Sequence, residues 1–393
     1  MSWPLVKLGD LFKVTSGGTP SRKKSEYYDG GDIHWVKTGD LHNKYVRSAS
    51  EFITQEGLDG SSARLYPKGT VLVAMYGATI GACSILDIEA ATNQACAAFT
   101  PSEKVDPVFL YYLLKHSKPA FVKAGSGGAQ PNISGTFLKN FEIPLPPLDE
   151  QKRIAAILDK ADAIRQKRKQ AIDLADEFLR SVFLDMFGDV SGVGESTVEK
   201  LAEDRKGSMR TGPFGSQLLH SEFTESGVSV LGIDNAVKNR FEWGKERFIS
   251  QDKYSELSRY TVLPGDVLIT IMGTCGRCAV VPEGIPVAIN TKHLCCITLD
   301  KSKCLPEFLH SYFLYHPIAR RYLEKNTKGA IMAGLNMGII KAMPVPVFPL
   351  AMQNKYVEIA KKIESSRYNR EESETLGNRS FDSVSQKVFS GQL

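Results

Sequence analysis

Apolar positions along this chain follow three rhythms, and the same succession of rhythms occurs twice. Short apolar runs come first. Ile33-His34-Trp35-Val36 and Gly69-Thr70-Val71-Leu72-Val73-Ala74-Met75 predict strands, each ending at glycine and polar residues that predict turns. Next, Pro107-Val108-Phe109-Leu110-Tyr111-Tyr112-Leu113-Leu114 predicts a helix with proline in its first turn. Then, from about Leu148 to Phe187, apolar residues recur every seven positions: Ile154, Ala161, Arg168, Ala175 and Val182 form one row, with arginine in the middle. Ile157, Ile164, Ala171 and Phe178 form its companion, and Leu158, Ile172, Leu179 and Met186 widen the stripe. A seven-residue repeat held this long predicts a helix that packs against another helix.

The second half repeats the order. Leu263-Pro264-Gly265-Asp266-Val267-Leu268-Ile269 matches Tyr66-Pro67-Lys68-Gly69-Thr70-Val71-Leu72-Val73. Met272-Gly273-Thr274-Cys275-Gly276 matches Tyr76-Gly77-Ala78-Thr79-Ile80-Gly81, and Glu307-Phe308-Leu309 matches Val108-Phe109-Leu110. Ile143-Pro144-Leu145-Pro146-Pro147-Leu148-Asp149-Glu150-Gln151 opens the first long helix, and Val345-Pro346-Val347-Phe348-Pro349-Leu350-Ala351-Met352-Gln353 opens a second. That helix has an apolar face of Tyr356, Ile359, Ile363, Val384 and Val388. A period of about 200 residues is a duplicated domain with its helix rather than a solenoid unit. Short strands with one or two helices per copy predict a mixed α/β (α+β) domain. What repeats is strands, glycines and helix starts. What differs is the polar content of the loops between them, so one scaffold carries two recognition surfaces.

Composition changes this picture little. The chain is 42% hydrophobic and 24% charged, with a net charge of +5, which permits nucleic-acid binding without arguing for it. No apolar run reaches the ~18–20 residues of a membrane span. Met1-Ser2-Trp3-Pro4-Leu5-Val6-Lys7 has no signal-peptide pattern, so the expected location is the cytoplasm. Seven cysteines, an odd number at irregular spacing, argue against a disulfide framework. Cys275-Gly276-Arg277-Cys278 has the gap of a metal knuckle, but the adjacent Cys295-Cys296 pair is ill suited to complete one tetrahedral site. The expectation is buried thiols and no metal.

Catalytic signatures are missing. The single Pro-Pro lies between Leu145 and Leu148 at a helix start, not in the Asn/Asp-Pro-Pro-aromatic loop with which a base-flipping methyltransferase holds its base. Gly125-Ser126-Gly127-Gly128 is not followed by a Lys-Ser/Thr pair, so it is no phosphate-binding loop. The sequence therefore predicts a binding protein without catalytic residues. The alternatives are a DNA methyltransferase with unrecognised motifs and a helical scaffold that never touches DNA.

Loop residues with the chemistry to contact phosphates or base edges are Thr19, Arg22, Lys23, Lys24, Lys37, Thr38, Lys44, Arg64, Thr79, Gln94, Gln130 and Asn132 in the first copy. In the second they are Arg210, Ser216, Asn235, Lys238, Thr274, Arg277, Asn290, Thr291, Lys292, Lys328 and Asn336. Candidates for helix pairing are Ile154, Ile157, Ala161, Ile164, Ile172, Phe178, Tyr356, Ile359, Ile363 and Val384.

The duplicated proline-to-helix motif, Phe183-Leu184-Asp185-Met186-Phe187-Gly188-Asp189 at the end of the first helix and Val388-Phe389-Ser390-Gly391-Gln392-Leu393 at the C-terminus resemble the specificity subunits of type I restriction-modification enzymes. So do Ser16-Gly17-Gly18-Thr19-Pro20 and Gly212-Pro213-Phe214-Gly215-Ser216-Gln217-Leu218. The second motif departs from the pattern, with Ala351-Met352 in place of the acidic residue and Val347-Phe348 interrupting the prolines. The resemblance implies two target recognition domains, 1–147 and 191–348, joined by conserved helices at 148–190 and 349–393 that form an antiparallel coiled coil. Each domain would read one half of an asymmetric, bipartite double-stranded DNA target. The helices would set the spacer and dock two methyltransferase subunits, with motor-nuclease subunits joining them. S-adenosylmethionine, ATP and magnesium would belong to those partners.

Overall fold

The computed structural model describes residues 3–125, 132–327, 334–365, 386 and 389. It divides into two compact units, residues 1–169 with 372–393, and residues 170–371. Each unit is a mixed α/β domain built on the same plan.

In the first unit a five-stranded sheet has the order Thr15–Ser16, Cys96–Phe99, Val71–Ala74, Cys83–Leu86, Tyr45–Val46. A four-stranded sheet has the order Glu51–Ile53, Ile33–Val36, Ala90–Thr92, Leu65–Tyr66, with Ile33–Val36 and Ala90–Thr92 parallel. Strand Val71–Ala74 shows how the layers are made. Side chains alternate between the two faces of a strand. Val71 and Val73 therefore join a cluster with Phe109, Leu110 and Leu113 of helix Pro107–His116, while Leu72 and Ala74 face Val36, Tyr66 and Ala90. Asp106 caps that helix by accepting from the N–H groups of Val108 and Phe109, both at 2.9 Å. A sheet buried on both faces needs no polar alternation, which is why its strand reads as a continuous apolar run.

The second unit repeats these layers. Met209–Thr211, Leu294–Ile297, Val267–Thr270 and Cys278–Val280 form one sheet. Phe223–Thr224, Phe248–Ile249, Val228–Leu231, Ala288–Asn290 and Thr261–Val262 form the other, again with one parallel pair, Val228–Leu231 on Ala288–Asn290. Val267 and Ile269 pack with Phe308 and Leu309 of helix Pro306–Tyr315, and Leu268 faces Leu231 and Ala288. Strand pairs Leu5–Lys7 with Glu142–Pro144, and Glu195–Thr197 with Pro344–Pro346, close the two units alike.

The proline-to-helix motif works through its glutamine. Gln151 is buried; its amide nitrogen donates to Lys104 O at 3.0 Å and Pro146 O at 2.9 Å, and its carbonyl oxygen accepts from Asp106 N at 2.9 Å. Gln353 makes the same three bonds with Lys303 O, Phe348 O and Leu305 N. Each glutamine fastens the start of a long helix to the loop preceding the domain's own apolar helix. The substituted residues of the second motif, Val347, Phe348, Ala351 and Met352, leave this arrangement intact.

Helix Leu148–Phe187 begins in the first unit and ends in the second. Its apolar stripe changes use along its length. Ile154, Ala155 and Leu158 are buried in the first unit's core, with Ala161 packed against it. Leu179, Phe183 and Phe187 belong to the second unit's core, together with Tyr356, Val357 and Ala360 of helix 350–365 and with Ile363 packed against it. The rings of Phe183 and Tyr356 lie 5.2 Å apart and those of Phe187 and Phe348 4.9 Å apart. Of the residues expected to pair helices, Tyr356 and Ile363 lie with the long helix in the second unit's core, and Ile154 and Ala161 lie in the first unit's cluster, against which Phe389 of the C-terminal segment also packs. Ile172 is buried and Ile359 half-buried, while Ile157, Ile164 and Phe178 are exposed. Val384 lies outside the described residues. Phe389, which repeats Phe187, packs on Phe109 and His116 of the first unit at 5.8 and 5.2 Å.

All seven cysteines are free thiols. Burial pushes Cys83, Cys96, Cys295 and Cys304 up to about 12 and raises Cys278 as well, so these are inert packing groups. Among the described residues no group of histidine, cysteine and carboxylate side chains could hold a metal ion, and no helix is long and apolar enough to cross a membrane.

Candidate nucleic-acid interface

In each unit four backbone hydrogen bonds gather the same five segments at one end of the two sheets. In the first unit Gly18 N donates to Thr92 O at 2.9 Å, Asn93 N to Val36 O at 3.0 Å, Met75 N to Ala95 O at 2.8 Å and Ile133 N to Met75 O at 2.9 Å. In the second, Gly212 N donates to Thr291 O at 3.3 Å, Thr291 N to Leu231 O at 2.9 Å, Ile271 N to His293 O at 2.9 Å and Leu335 N to Ile271 O at 3.0 Å. The glycine-rich loops approach so closely that only glycine fits. A Cβ on Gly17 would stand 1.9 Å from Thr92 O, and one on Gly212 1.9 Å from Asn290 O. Beneath these loops Thr92 Oγ1, Asn290 Oδ1 and Thr291 Oγ1 are buried without a hydrogen-bond partner.

The side chains presented there differ. In the first unit Glu51 accepts from both Arg22 and Lys37, whose two charges hold its carboxyl below the usual range, Lys37 foremost. The Arg22 guanidinium lies over Tyr28 at 4.5 Å and near Trp35 at 5.1 Å. The Trp35 indole N–H donates to Gly18 O at 3.0 Å, fixing the glycine loop. Thr19 donates to Gln94 across the mouth of the cluster. Thr38 follows Lys37 in a single helical turn, Thr79 donates to Tyr76 O at 3.0 Å, and Asn132 bridges Tyr76. Arg64 is exposed just ahead of strand Leu65–Tyr66, which pairs beside Thr92.

In the second unit Arg247 stands where the first has Glu51, two residues before the equivalent isoleucine. It donates to Asp234 at 2.5 Å. Burial pushes the Asp234 carboxyl up, but the bonds from Arg247 and the Lys245 N–H outweigh it and leave it below the usual range. Phe214 and Ser216 are exposed on the glycine loop, while Gln217 accepts from Phe214 N at 3.1 Å and from the Tyr260 hydroxyl at 3.0 Å. Thr291, Lys292 and His293 follow strand Ala288–Asn290. Burial, then the charges of Lys292 and Arg247, lower the affinity of His293 for a proton. Thr274 and Arg277 lie on the exposed hairpin after Ile271.

Several residues expected at this surface have other roles. Arg210 is buried in a pair with Asp266 at 2.5 Å and also donates to Thr298 Oγ1 and Thr261 O; a guanidinium committed this way is part of the core. Asn235 is buried and holds its turn, accepting from Gly232 N and donating to Glu242 O. Asn290 is buried and donates to Leu294 O. Lys44 is drawn down onto Asp159 of the long helix, which also accepts from the Tyr112 hydroxyl at 2.6 Å. Lys24, Lys238 and Asn336 remain exposed while making local bonds: Lys24 to the Tyr27 hydroxyl, Lys238 to Glu242, and Asn336 accepting from Ile339 N as the cap of helix Met337–Lys341. Lys23 is exposed and has no hydrogen-bond or ion-pair partner among the described residues. Gln130 and Lys328 lie outside the described residues. Sequence reasoning passed over Trp35, Tyr28, Glu51, Arg247, Asp234 and Phe214. The signal for Glu51 and Arg247 was there: each is a charge two residues before a buried isoleucine, at or just before the start of a short strand.

Comparison with known proteins agrees with this geometry. The family described as the type I restriction modification DNA specificity domain matches residues 2–174 and 221–376. The MjaIX specificity subunit of a type I restriction enzyme from Methanocaldococcus jannaschii is 34% identical over 192 residues, 48% of this chain and 44% of that protein. The match therefore spans less than half of that relative. The MjaVIII specificity subunit of the same organism is 24% identical over 388 residues, 92% of this chain and 86% of the relative. The type I restriction-modification S subunit of M. genitalium shares the fold, with a TM-score of 0.61 at 16% identity, covering 99% of this chain and 96% of that one. With two matched segments that together take in most of its length, the chain belongs to the family of type I restriction modification DNA specificity domains.

Proposed function

We propose that this chain is the non-catalytic DNA-recognition subunit of a type I restriction-modification complex, acting in the cytoplasm, and that each domain reads one half of an asymmetric bipartite target. The observation that carries this reading is the pair of loop ends: one scaffold, one set of backbone bonds, two different sets of exposed side chains. In the first domain Thr19, Arg22, Lys37, Thr38, Gln94 and Asn132 supply donors and acceptors for base edges and phosphates. In the second, Ser216, Thr274, Lys292 and His293 do so, and the exposed Phe214 ring offers an apolar contact. The long helix and its C-terminal counterpart pair as an antiparallel coiled coil, set the spacer and dock two methyltransferase subunits, which motor-nuclease subunits join. S-adenosylmethionine, ATP and magnesium act in those partners.

Co-expression with the methyltransferase subunit, followed by mapping of methylated bases, tests the reading. It expects a bipartite motif that disappears when this chain is omitted; methylation that persists without the chain would contradict it. Exchanging residues 1–142 for those of a relative should change one half of the motif only. Inserting four residues, about one helical turn, near Gln170 should change the spacer or abolish activity.

A further inference from the structure

Beside its loop end the second domain carries a groove of about 810 Å³. Four arginines line it: Arg180 from the long helix, Arg277 from the hairpin after Ile271, and Arg320 and Arg321 from helix Pro317–Thr327. All four are exposed. Among the described residues none is paired with a carboxylate; Arg320 and Arg321 donate only to the backbone, to Leu314 O at 3.5 Å and Pro317 O at 3.3 Å. Glu324 is the one acidic residue among the lining groups. Four like charges with a single carboxylate among them repel one another, and that arrangement suits an anionic partner.

The hairpin ties the groove to the recognition end. Gly273, in the same loop as Arg277, packs so closely that a Cβ would lie 3.1 Å from Ile233 in the turn that precedes Asp234. The first domain has no counterpart of Arg277: Gly81 and Cys83 repeat Gly276 and Cys278, with Ala82 between them. Its corresponding helix, Lys118–Gly125, carries no arginine.

We propose that this groove is a phosphate clamp. It would grip the DNA backbone next to the half-site read by the second domain and make that domain the stronger electrostatic anchor. The proposal rests on the DNA-recognition reading above. Continuity with the loop end favours nucleic acid over an acidic protein surface as the occupant.

The test uses the full chain and a random-sequence duplex, with affinity measured against salt concentration. The variant is Arg277→Gln/Arg320→Gln/Arg321→Gln; the control, Lys200→Gln/Lys206→Gln/Lys301→Gln, removes as much charge from exposed sites outside the groove. Each phosphate contact contributes about 0.9 to the slope of log affinity against log salt. The arginine variant should therefore flatten the slope by about 2–3, and the control by less than about 1. Unchanged thermal unfolding of both variants verifies their folding. Equal slopes for variant and control would overturn the clamp alone. Absence of any duplex binding by the unaltered chain would overturn the underlying reading with it. Loss of methyltransferase association with an unchanged slope would assign the groove to a protein partner and also overturn the clamp.

Discussion

The two loop ends share their backbone and differ in their charges. Lys37 N bonds Asp40 at 2.8 Å in one domain, and Gly232 N bonds Asn235 at 2.8 Å at the same turn of the other. At the neighbouring strand start the first domain has an acid, Glu51, gathering two bases, while the second has a base, Arg247, on an acid. Reversing the sign at one position while keeping the frame changes what the surface attracts without changing the fold. The domain interiors differ as well. The second buries the pair Arg210–Asp266, whereas the corresponding strand of the first has Thr15 bonded to the Tyr66 hydroxyl at 3.0 Å.

That interior difference predicts the largest effect. Arg210→Ala leaves the Asp266 charge buried and unpaired and should destabilise the second domain by about 3–5 kcal/mol. Thr15→Ala should cost about 1 kcal/mol in the first. Urea unfolding followed by hydrogen exchange in each domain measures both; equal, small losses would show that the ion pair is not what distinguishes the cores.

The shared glutamines sharpen the comparison from the other side. Gln151→Leu and Gln353→Leu each remove three hydrogen bonds and orphan buried backbone groups, at about 1–3 kcal/mol for each group left unsatisfied. The same denaturant series should give closely similar losses in the two domains. A large loss in one and none in the other would mean that the duplicated motif no longer does the same work twice.

Smaller in energy are the surface pairs. Glu51→Gln and Arg247→Gln should each alter stability by less than about 1 kcal/mol and yet relax base preference in one half-site. Methylation mapping that found both halves unaffected would remove these charges from recognition.

The smallest difference is in pH response. In the second domain His316 is buried and His310 half-buried, and the loss of solvent lowers both below their ordinary value. A group with a lowered folded-state pKa stabilises above its unfolded value of about 6.5 and loses that contribution as pH falls through the folded one. The first domain's His116 and His42 are exposed. Hydrogen exchange at pH 7.5 and 5.5 should therefore show the second domain loosening more on acidification. Greater loosening of the first would contradict this.

Much of the fold was legible because strand, glycine and proline patterns depend on local chemistry. Buried sheets make continuous apolar runs, and turns that need glycine show it. The glutamine of the motif was visible too, but its role was not, since its partners at Lys104 and Lys303 lie about 50 residues upstream. Arg210 was misread because a charge looks the same in sequence whether it faces solvent or a buried aspartate. The heptad stripe shows in sequence as one row, and the sequence does not reveal that its ends, Ile154 and Phe183, belong to two different domain cores.

The central claim is that each loop end reads its own half of the target. The most direct measurement compares methylation maps of Thr19→Ala/Arg22→Ala and Phe214→Ala/Lys292→Ala chains, each co-expressed with the methyltransferase subunit. The account predicts that the first pair loosens one half of the bipartite motif and the second pair the other. Loosening of both halves by either variant, or of neither by both, would contradict it.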